Sequence, residues 1–399
     1  MPVDRDATMI LLGTRKGTLI VDRTADGWRP RAIAHAGIPV CFAMRDARDG
    51  TLWASLDHGH WGPKLSRSRD GGASWQDLST LKYPPGARYI AKDLPTPDFD
   101  PAAPAARPEY QDAIVYKIWC LATGHDEQPG RLYAGTIPGG LFVSDDGGDS
   151  WALNRPLWDH ASRGGDLFAG DATTDNRWFG TPASVDYGVF EPGIHSIVVD
   201  PRDAAHLHVA VSSAGVLETT DGGRSWIGRN RGMLNDYLPD PGAEWGHDPH
   251  CLAGCAAQPD RLWQQNHCGV FHSDDGARSW RRVSQPDAGV HFGFPIAVDA
   301  RDGRTAWVVP AHSDAQRLAI GGGVFVARTD DGGQSWTALR RGLPQRDAYD
   351  IVLRHGLDAR GDCLCFGSSS GNVYVSEDRG DSWSCVGQNF PPVYSVRFG

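Results

Sequence analysis

Ser68-Arg-Asp70-Gly-Gly-Ala-Ser-Trp75 returns five more times along the chain. The copies are Ser144-Asp-Asp146-Gly-Gly-Asp-Ser-Trp151, Thr219-Thr-Asp221-Gly-Gly-Arg-Ser-Trp226, Ser273-Asp-Asp275-Gly-Ala-Arg-Ser-Trp280, Thr329-Asp-Asp331-Gly-Gly-Gln-Ser-Trp336 and Ser376-Glu-Asp378-Arg-Gly-Asp-Ser-Trp383. A seventh, degenerate unit ends at Trp28. Each copy reads as a tight turn between two strands. The Asp accepts backbone N–H groups, the Gly positions supply positive φ, and the Trp opens the next strand and packs between sheets. The six Asp residues are therefore read as turn caps rather than catalytic groups.

Working outward from one copy gives the whole unit: an inner strand over 194–200, a second over 206–212, a third over 216–220 and an outer one from Ser225. That is one four-stranded blade, and seven such units predict an all-β, seven-bladed β-propeller occupying residues 1–399 as a single domain. The N-terminal unit holds only three strands, at 9–13, 18–22 and 27–31. The stretch Tyr394-Ser-Val-Arg-Phe398 is predicted to supply its missing inner strand and close the ring, leaving no open edge. Three intervals exceed a blade's needs, at about 80–113, 154–192 and 230–249. They are read as insertions over one mouth of the central channel, where long loops usually serve function.

The Ser/Thr-x-Asp-x-Gly-x-x-Trp motif resembles the Asp-box, or BNR, repeat propellers, a superfamily that includes sialidases, other glycosidases, sortilin-type receptors and photosystem II assembly factors. The resemblance spans the chain and implies the fold; its motif is almost silent on function. A sialidase would carry an Arg-Ile-Pro segment, three Arg residues on the substrate carboxylate and a Tyr/Glu pair. The N-terminal segment here reads Gly13-Thr-Arg15-Lys-Gly17 and none of that set can be placed, so the resemblance stops short of a sialidase.

Composition narrows the partners. The 49 Gly, 27 Pro and 15 Trp, with no long apolar run at helical spacing, fit short strands and tight turns. The formal charge of -10, with no basic cluster longer than a pair, argues against nucleic acid. No apolar stretch is long enough to cross a membrane as a helix, and the polar residues 1–8 do not read as a signal peptide. Of the eight Cys, Cys363 and Cys365 share a strand face in poor disulfide geometry and Cys251 and Cys255 lie in an apolar strand. They read as reduced thiols, and a cytoplasmic location is expected.

Equivalent positions in different blades identify the candidate site. The starts of inner strands and the turns after second strands reach one face. Aligning units places His195, His250 and, with two inserted residues, Lys117 at one position, with Tyr349 and Asp350 nearby in the last blade. The turns add His58, His60, Asn266, His267 and His312, and the loop Glu244-Trp-Gly-His-Asp-Pro-His250 adds Glu244, His247 and Asp248. Seven of fifteen His thus converge, and imidazoles serve as metal ligands and proton shuttles near neutral pH. His195, His250 and His267, joined by His58 or His60, are predicted to hold one divalent transition metal, Zn, Mn, Fe or Cu. Lys117, Glu244, His247 and Asp248 are candidate catalytic groups. Trp61, Trp178, Trp245, Tyr349 and Asn266 are candidate substrate contacts. His35, His125, His160, His206, His208 and His355 receive no role, and Trp53, Trp263 and Trp307 on second strands are predicted core. Gly367-Ser-Ser-Ser-Gly371 fits a nucleophile-elbow pattern but lies in a strand-to-strand turn, which rules it out. Two functions follow: a hydrolase or lyase acting on a small molecule or sugar at the mouth, or a non-catalytic binding or assembly propeller without metal.

Overall fold

A computed structural model describes residues 7–90, 110–163, 178 and 192–399. Seven four-stranded antiparallel sheets stand around a channel. Blade 1 takes its inner strand, Val393–Phe398, from the C-terminal end and its other three, Met9–Thr14, Gly17–Thr24 and Gly27–Pro30, from the N-terminal end. Ile10 pairs with Phe398, Leu12 with Val396 and Gly13 with Ser395, so the ring closes as the repeat count requires. The inner strands of blades 2 to 7 are Val40–Arg45, Lys117–Thr123, Ile194–Val199, Pro249–Cys255, Gly293–Val298 and Leu357–Arg360.

The octapeptide turns are built as their residues dictate. Asp146 Oδ1 accepts the Ser150 amide at 2.9 Å, and its Oδ2 accepts the Ser150 hydroxyl at 2.6 Å. Ser144 Oγ donates to Asp146 and accepts from the Gly148 amide at 2.9 Å. Gly147 and Gly148 both have positive φ, at 71° and 86°. A Cβ on Gly147 would meet nothing, whereas one on Gly148 would lie 2.4 Å from the Trp53 ring of the preceding blade. The first Gly is needed for conformation alone; the second also lets two blades approach. In all six copies the outer strand begins one residue after the Trp, and these strands run only two to four residues.

The core lies between blades. Trp53, Trp263 and Trp307 are buried as expected, with Trp263 donating to Gly303 O at 2.8 Å and Trp307 to Arg379 O at 3.0 Å, each reaching the blade that follows. Hydrogen-bonded indoles of this size carry much of the packing energy of such a fold. None of the eight Cys is joined in a disulfide. Among the described residues no helix is long and apolar enough to cross a membrane.

Of the insertions at 80–113 and 154–192, residues 91–109, 164–177 and 179–191 lie outside the described residues. The remainder forms a two-stranded ribbon, Arg88–Ile90 with Tyr110–Asp112, and a short helix, Arg155–Trp158, capped by Asn154. They pack on one another: the Tyr83 ring lies 4.6 Å from that of Trp158, beside Ala87 and Tyr89.

Candidate active site at the channel mouth

One device positions the side chains at the mouth. In six blades the pairing of the inner strand with the second strand slips by at least one residue near its start. Val393 and Ser395 pair while Tyr394 does not; Cys41, Trp119, His195, His250 and Phe294 are skipped in the same way. A bulge leaves its extra residue unpaired and re-aims the side chain, so six blades present Tyr394, Cys41, Trp119, His195, His250 and Phe294 at equivalent positions. This corrects the alignment made from sequence. Trp119 occupies the place assigned to Lys117, because the bulge lies two residues further on. In blade 7 Arg354 and His355 take the place expected of Tyr349 and Asp350, which lie further upstream in the chain. Asp350 is buried and accepts from Asn372 at 2.7 Å, while Tyr349 is exposed.

Cys41, Lys117, Trp119, Leu353, Arg354, His355 and Tyr394 line a cavity of about 240 Å³ at the mouth. His355 Nε2 donates to the His195 carbonyl at 2.7 Å, spanning from blade 7 to blade 4 across the channel. The cavity is therefore a cup rather than a pore. Burial drives the His355 pKa down to about 3, so its ring is neutral. Burial also pushes the Cys41 thiol up to about 12, which leaves it a poor nucleophile. Lys117 Nζ lies 3.5 Å from Asp57. Burial opposes its charge, but Cys41 and Asp57 outweigh that and hold its pKa above the ordinary value.

Beside the cup, Asp248, His250 and His267 bring ligand atoms within 4.8 Å of one another. His250 Nε2 is 3.3 Å and His267 Nδ1 3.5 Å from Asp248 Oδ2. The other nitrogen of each ring is spoken for. His250 Nδ1 donates to the Gly293 carbonyl at 2.6 Å, and His267 Nε2 faces Asp314 Oδ2 at 3.4 Å. The His250 ring stacks on Phe294 at 4.7 Å, and Asp248 Oδ1 accepts the Ser213 amide at 3.1 Å. Burial would raise the Asp248 pKa, but hydrogen bonds from both imidazoles hold it well below the usual carboxylate range. Burial lowers the His250 pKa. For His267 burial is outweighed by Asp248 and Asp314, which raise it.

The other sequence-derived candidates fall elsewhere. His195 is buried outside the Asp248 group, its Nδ1 3.0 Å from Ser196 Oγ and its Nε2 without a partner. His58 and His60 lie against Trp61, with ring centroids 6.4 and 4.6 Å away, so they do not join it. His247 is fully buried and donates to Ala243 O at 2.6 Å. Asn266 is buried too, holding the turn through the Cys268 amide and Gln264. Trp178 is fully buried, donating to Ser162 Oγ at 2.8 Å with the Arg163 guanidinium 4.6 Å from its ring. Trp245 packs toward His160, and the exposed Glu244 lies beside it against Gly228 on the blade 4 edge. Sequence reasoning missed Tyr237 and gave Asp314 no role, although both reach His267; the Tyr237 ring lies 5.3 Å from it. Together with Trp61 and Tyr349, Tyr237 gives three aromatic side chains 66–69% exposed on loops at this face.

The fold and this site define a seven-bladed β-propeller with a histidine- and carboxylate-bearing channel mouth. No family model matches the chain. It is 28% identical over 301 residues to an oligoxyloglucan-reducing end-specific xyloglucanase of Emericella nidulans; the match covers 72% of this chain and 31% of that protein. The chain thus spans about a third of its relative's length. Among solved structures it resembles a GH74 enzyme of Niastella koreensis (TM-score 0.58, 16% identity, 94% of this chain and 51% of that one). It also resembles a periplasmic gluconolactonase of Pseudomonas aeruginosa (0.56, 12%, 98% of each) and YCF48 bound to a D1 peptide (0.50, 15%, 94% of each). At these identities the structural likenesses speak for the fold alone.

Proposed function

We propose that the chain is a carbohydrate-directed hydrolase whose reacting centre is the Asp248–His250–His267 group, holding one divalent transition metal. The observation that carries this is the spacing of the group. Two ligand atoms of a tetrahedral ion bound at about 2.0–2.2 Å stand about 3.3–3.6 Å apart, and the separations from Asp248 are 3.3 and 3.5 Å. With Nδ1–H committed to Gly293, the His250 ring turns its Nε2 toward the Asp248 carboxylate. That pairing is repulsive unless a cation or proton lies between. Asp314 stands behind His267 as a carboxylate commonly stands behind a ligating imidazole.

A cation held there supplies Lewis acidity toward an oxygen ligand. Asp248, His250 and His267 would hold it, and Asp314 would accept the His267 Nε2–H and fix that ring. Tyr237, Trp61 and Tyr349 offer flat faces to sugar rings approaching from solvent. The xyloglucanase similarity supports a glycan as substrate and hydrolysis rather than elimination as the reaction.

Elemental analysis of tag-free protein, paired with reducing-sugar release from neutral and acidic oligosaccharides, xyloglucan fragments among them, tests the proposal. We expect about one metal per chain, lost in His250→Ala and His267→Ala, and hydrolysis falling at least roughly a hundredfold in both. Hydrolysis without metal would remove the ion but leave the hydrolase. Neither metal nor turnover, with no thermal shift on adding Zn or Mn, would overturn both and favour the non-catalytic propeller.

A further inference from the structure

Arg354 is a cation with no counter-ion among the described residues. Among the described residues no carboxylate lies within ion-pair distance of it, and its buried Nε has no hydrogen-bond partner. Its guanidinium is instead held by rings, 5.0 Å from the Trp119 centroid and 5.5 Å from that of Phe294. Arg317 approaches the same Phe294 ring at 5.5 Å and adds like charge. A guanidinium left unpaired in a half-buried wall is costly unless a ligand completes it.

The rest of the cup limits that ligand. Lys117 is neutralised by Asp57, and His355 is an uncharged donor already spent on the His195 carbonyl. Asp248 acts on Arg354 only from a distance and is engaged by its two imidazoles. Among the residues that line the cavity, Arg354 alone carries a positive charge that no described carboxylate pairs, which suits an anionic ligand. At about 240 Å³ the cup falls below the roughly 300–1,000 Å³ of sites that enclose whole drug-sized ligands, and fits one ring-sized unit. Trp119 and Tyr394 provide ring faces, and the planar fork of Arg354 matches a carboxylate bidentately.

We propose that this cup binds the sugar-acid unit of an acidic glycan, with Arg354 on its carboxylate and Trp119 against its ring. The inference rests on the reading of the mouth as a carbohydrate site and names the substrate class. The acid would enter the cup, with the adjoining residues of the glycan passing over Asp248 and His267.

Calorimetric titration of the full chain in chelator, where hydrolysis does not intervene, tests it with glucuronate, galacturonate, glucose, galactose and inorganic phosphate. At least one uronate is expected to bind no less than roughly tenfold tighter than its neutral counterpart. Arg354→Gln should abolish that preference, and Arg354→Lys, which keeps the charge and loses the fork, should retain only part of it. Should Arg354→Gln fail to fold, the lysine variant carries the test alone. Equal affinity for uronate and neutral sugar, or an undiminished preference in Arg354→Lys, overturns the proposal. Phosphate binding as tightly as the uronates marks a general anion hole and also overturns it. Uronate binding that depends on Arg354 in a chain that hydrolyses nothing supports this inference and removes the hydrolase; hydrolysis indifferent to acidic residues does the reverse.

Discussion

The octapeptide turns and the bulged inner strands each recur around the ring, one at every box and the other in six blades, yet they use repetition in opposite ways. At the turns geometry and residue repeat together: Asp146 and its equivalents cap the same amides, and even Ala277 and Arg379, standing where Gly stands elsewhere, hold positive φ at 63° and 60°. At the mouth only the geometry repeats, and six positions carry Tyr, Cys, Trp, two His and Phe. The first region specifies the fold through identity, and the second specifies a site through difference. Changes at the turns should therefore cost stability and spare chemistry, and changes at the mouth the reverse.

The harshest way to break the comparison is to delete 393–399, which removes the one inner strand supplied from the far end of the chain and the bulged Tyr394 with it. Blade 1 would then present Met9–Thr14 as an open edge, stripped of its pairing with Val393–Phe398. Such an edge templates association. We expect aggregated or unfolded protein by size-exclusion chromatography and circular dichroism; a truncated chain melting like the full one would mean that closure is not required.

A second, smaller effect separates true mouth residues from the packing above them. Trp178 offers a buried ring and a satisfied N–H, whereas Trp61 is 66% exposed. Trp178→Ala should cost about 3–5 kcal/mol in denaturant unfolding, while Trp61→Ala should leave the unfolding midpoint in place and weaken only glycan binding. Sequence alone favoured Trp178 as a ligand contact, because a Trp in a long loop looks the same whether it faces solvent or packs on Arg163.

What could be read from sequence follows the same division. The blades, the ring closure and the core indoles were legible because local turn chemistry and alternation encode them directly. Asp248, His250 and His267 were legible as mouth residues because strand starts and turns can be counted from the octapeptide. A bulge adds one residue without a local signature, so counting missed Trp119 and took Lys117 in its place. Blade 7 diverges further: its inner strand starts only at Leu357, and counting reached Tyr349 and Asp350 instead of Arg354 and His355. Arg354 gave no signal, because the lack of a carboxylate beside it among the described residues is a property of the fold. His195 was matched to His250 correctly as a position; its Nδ1 lies 3.0 Å from Ser196 Oγ and its ring falls outside the Asp248 group.

The smallest expected effect belongs to a single turn, and pH sharpens it. Hydrogen bonds from the Ser150 hydroxyl and amide, then from Ser144, hold the Asp146 carboxyl at about 2, below the ordinary 3.8. Asp70 and Asp331 are likewise pulled down to about 2. A carboxyl whose pKa is lower folded than unfolded stabilises the fold fully above the ordinary value. That contribution declines as pH falls through 3.8 and is gone below about 2. The melting temperature should therefore stay level from pH 7 to pH 5 on account of these groups and drop progressively below pH 4. Asp146→Asn keeps one acceptor oxygen but cannot be charged, so it should lower the melting temperature at pH 7 by a few degrees and converge with the parent chain as pH approaches 2. Its hydrolytic and uronate-binding behaviour should be unchanged at neutral pH. A constant gap between the two melting curves across this range would show that Asp146 acts through shape alone, and that the charge at the turn contributes nothing.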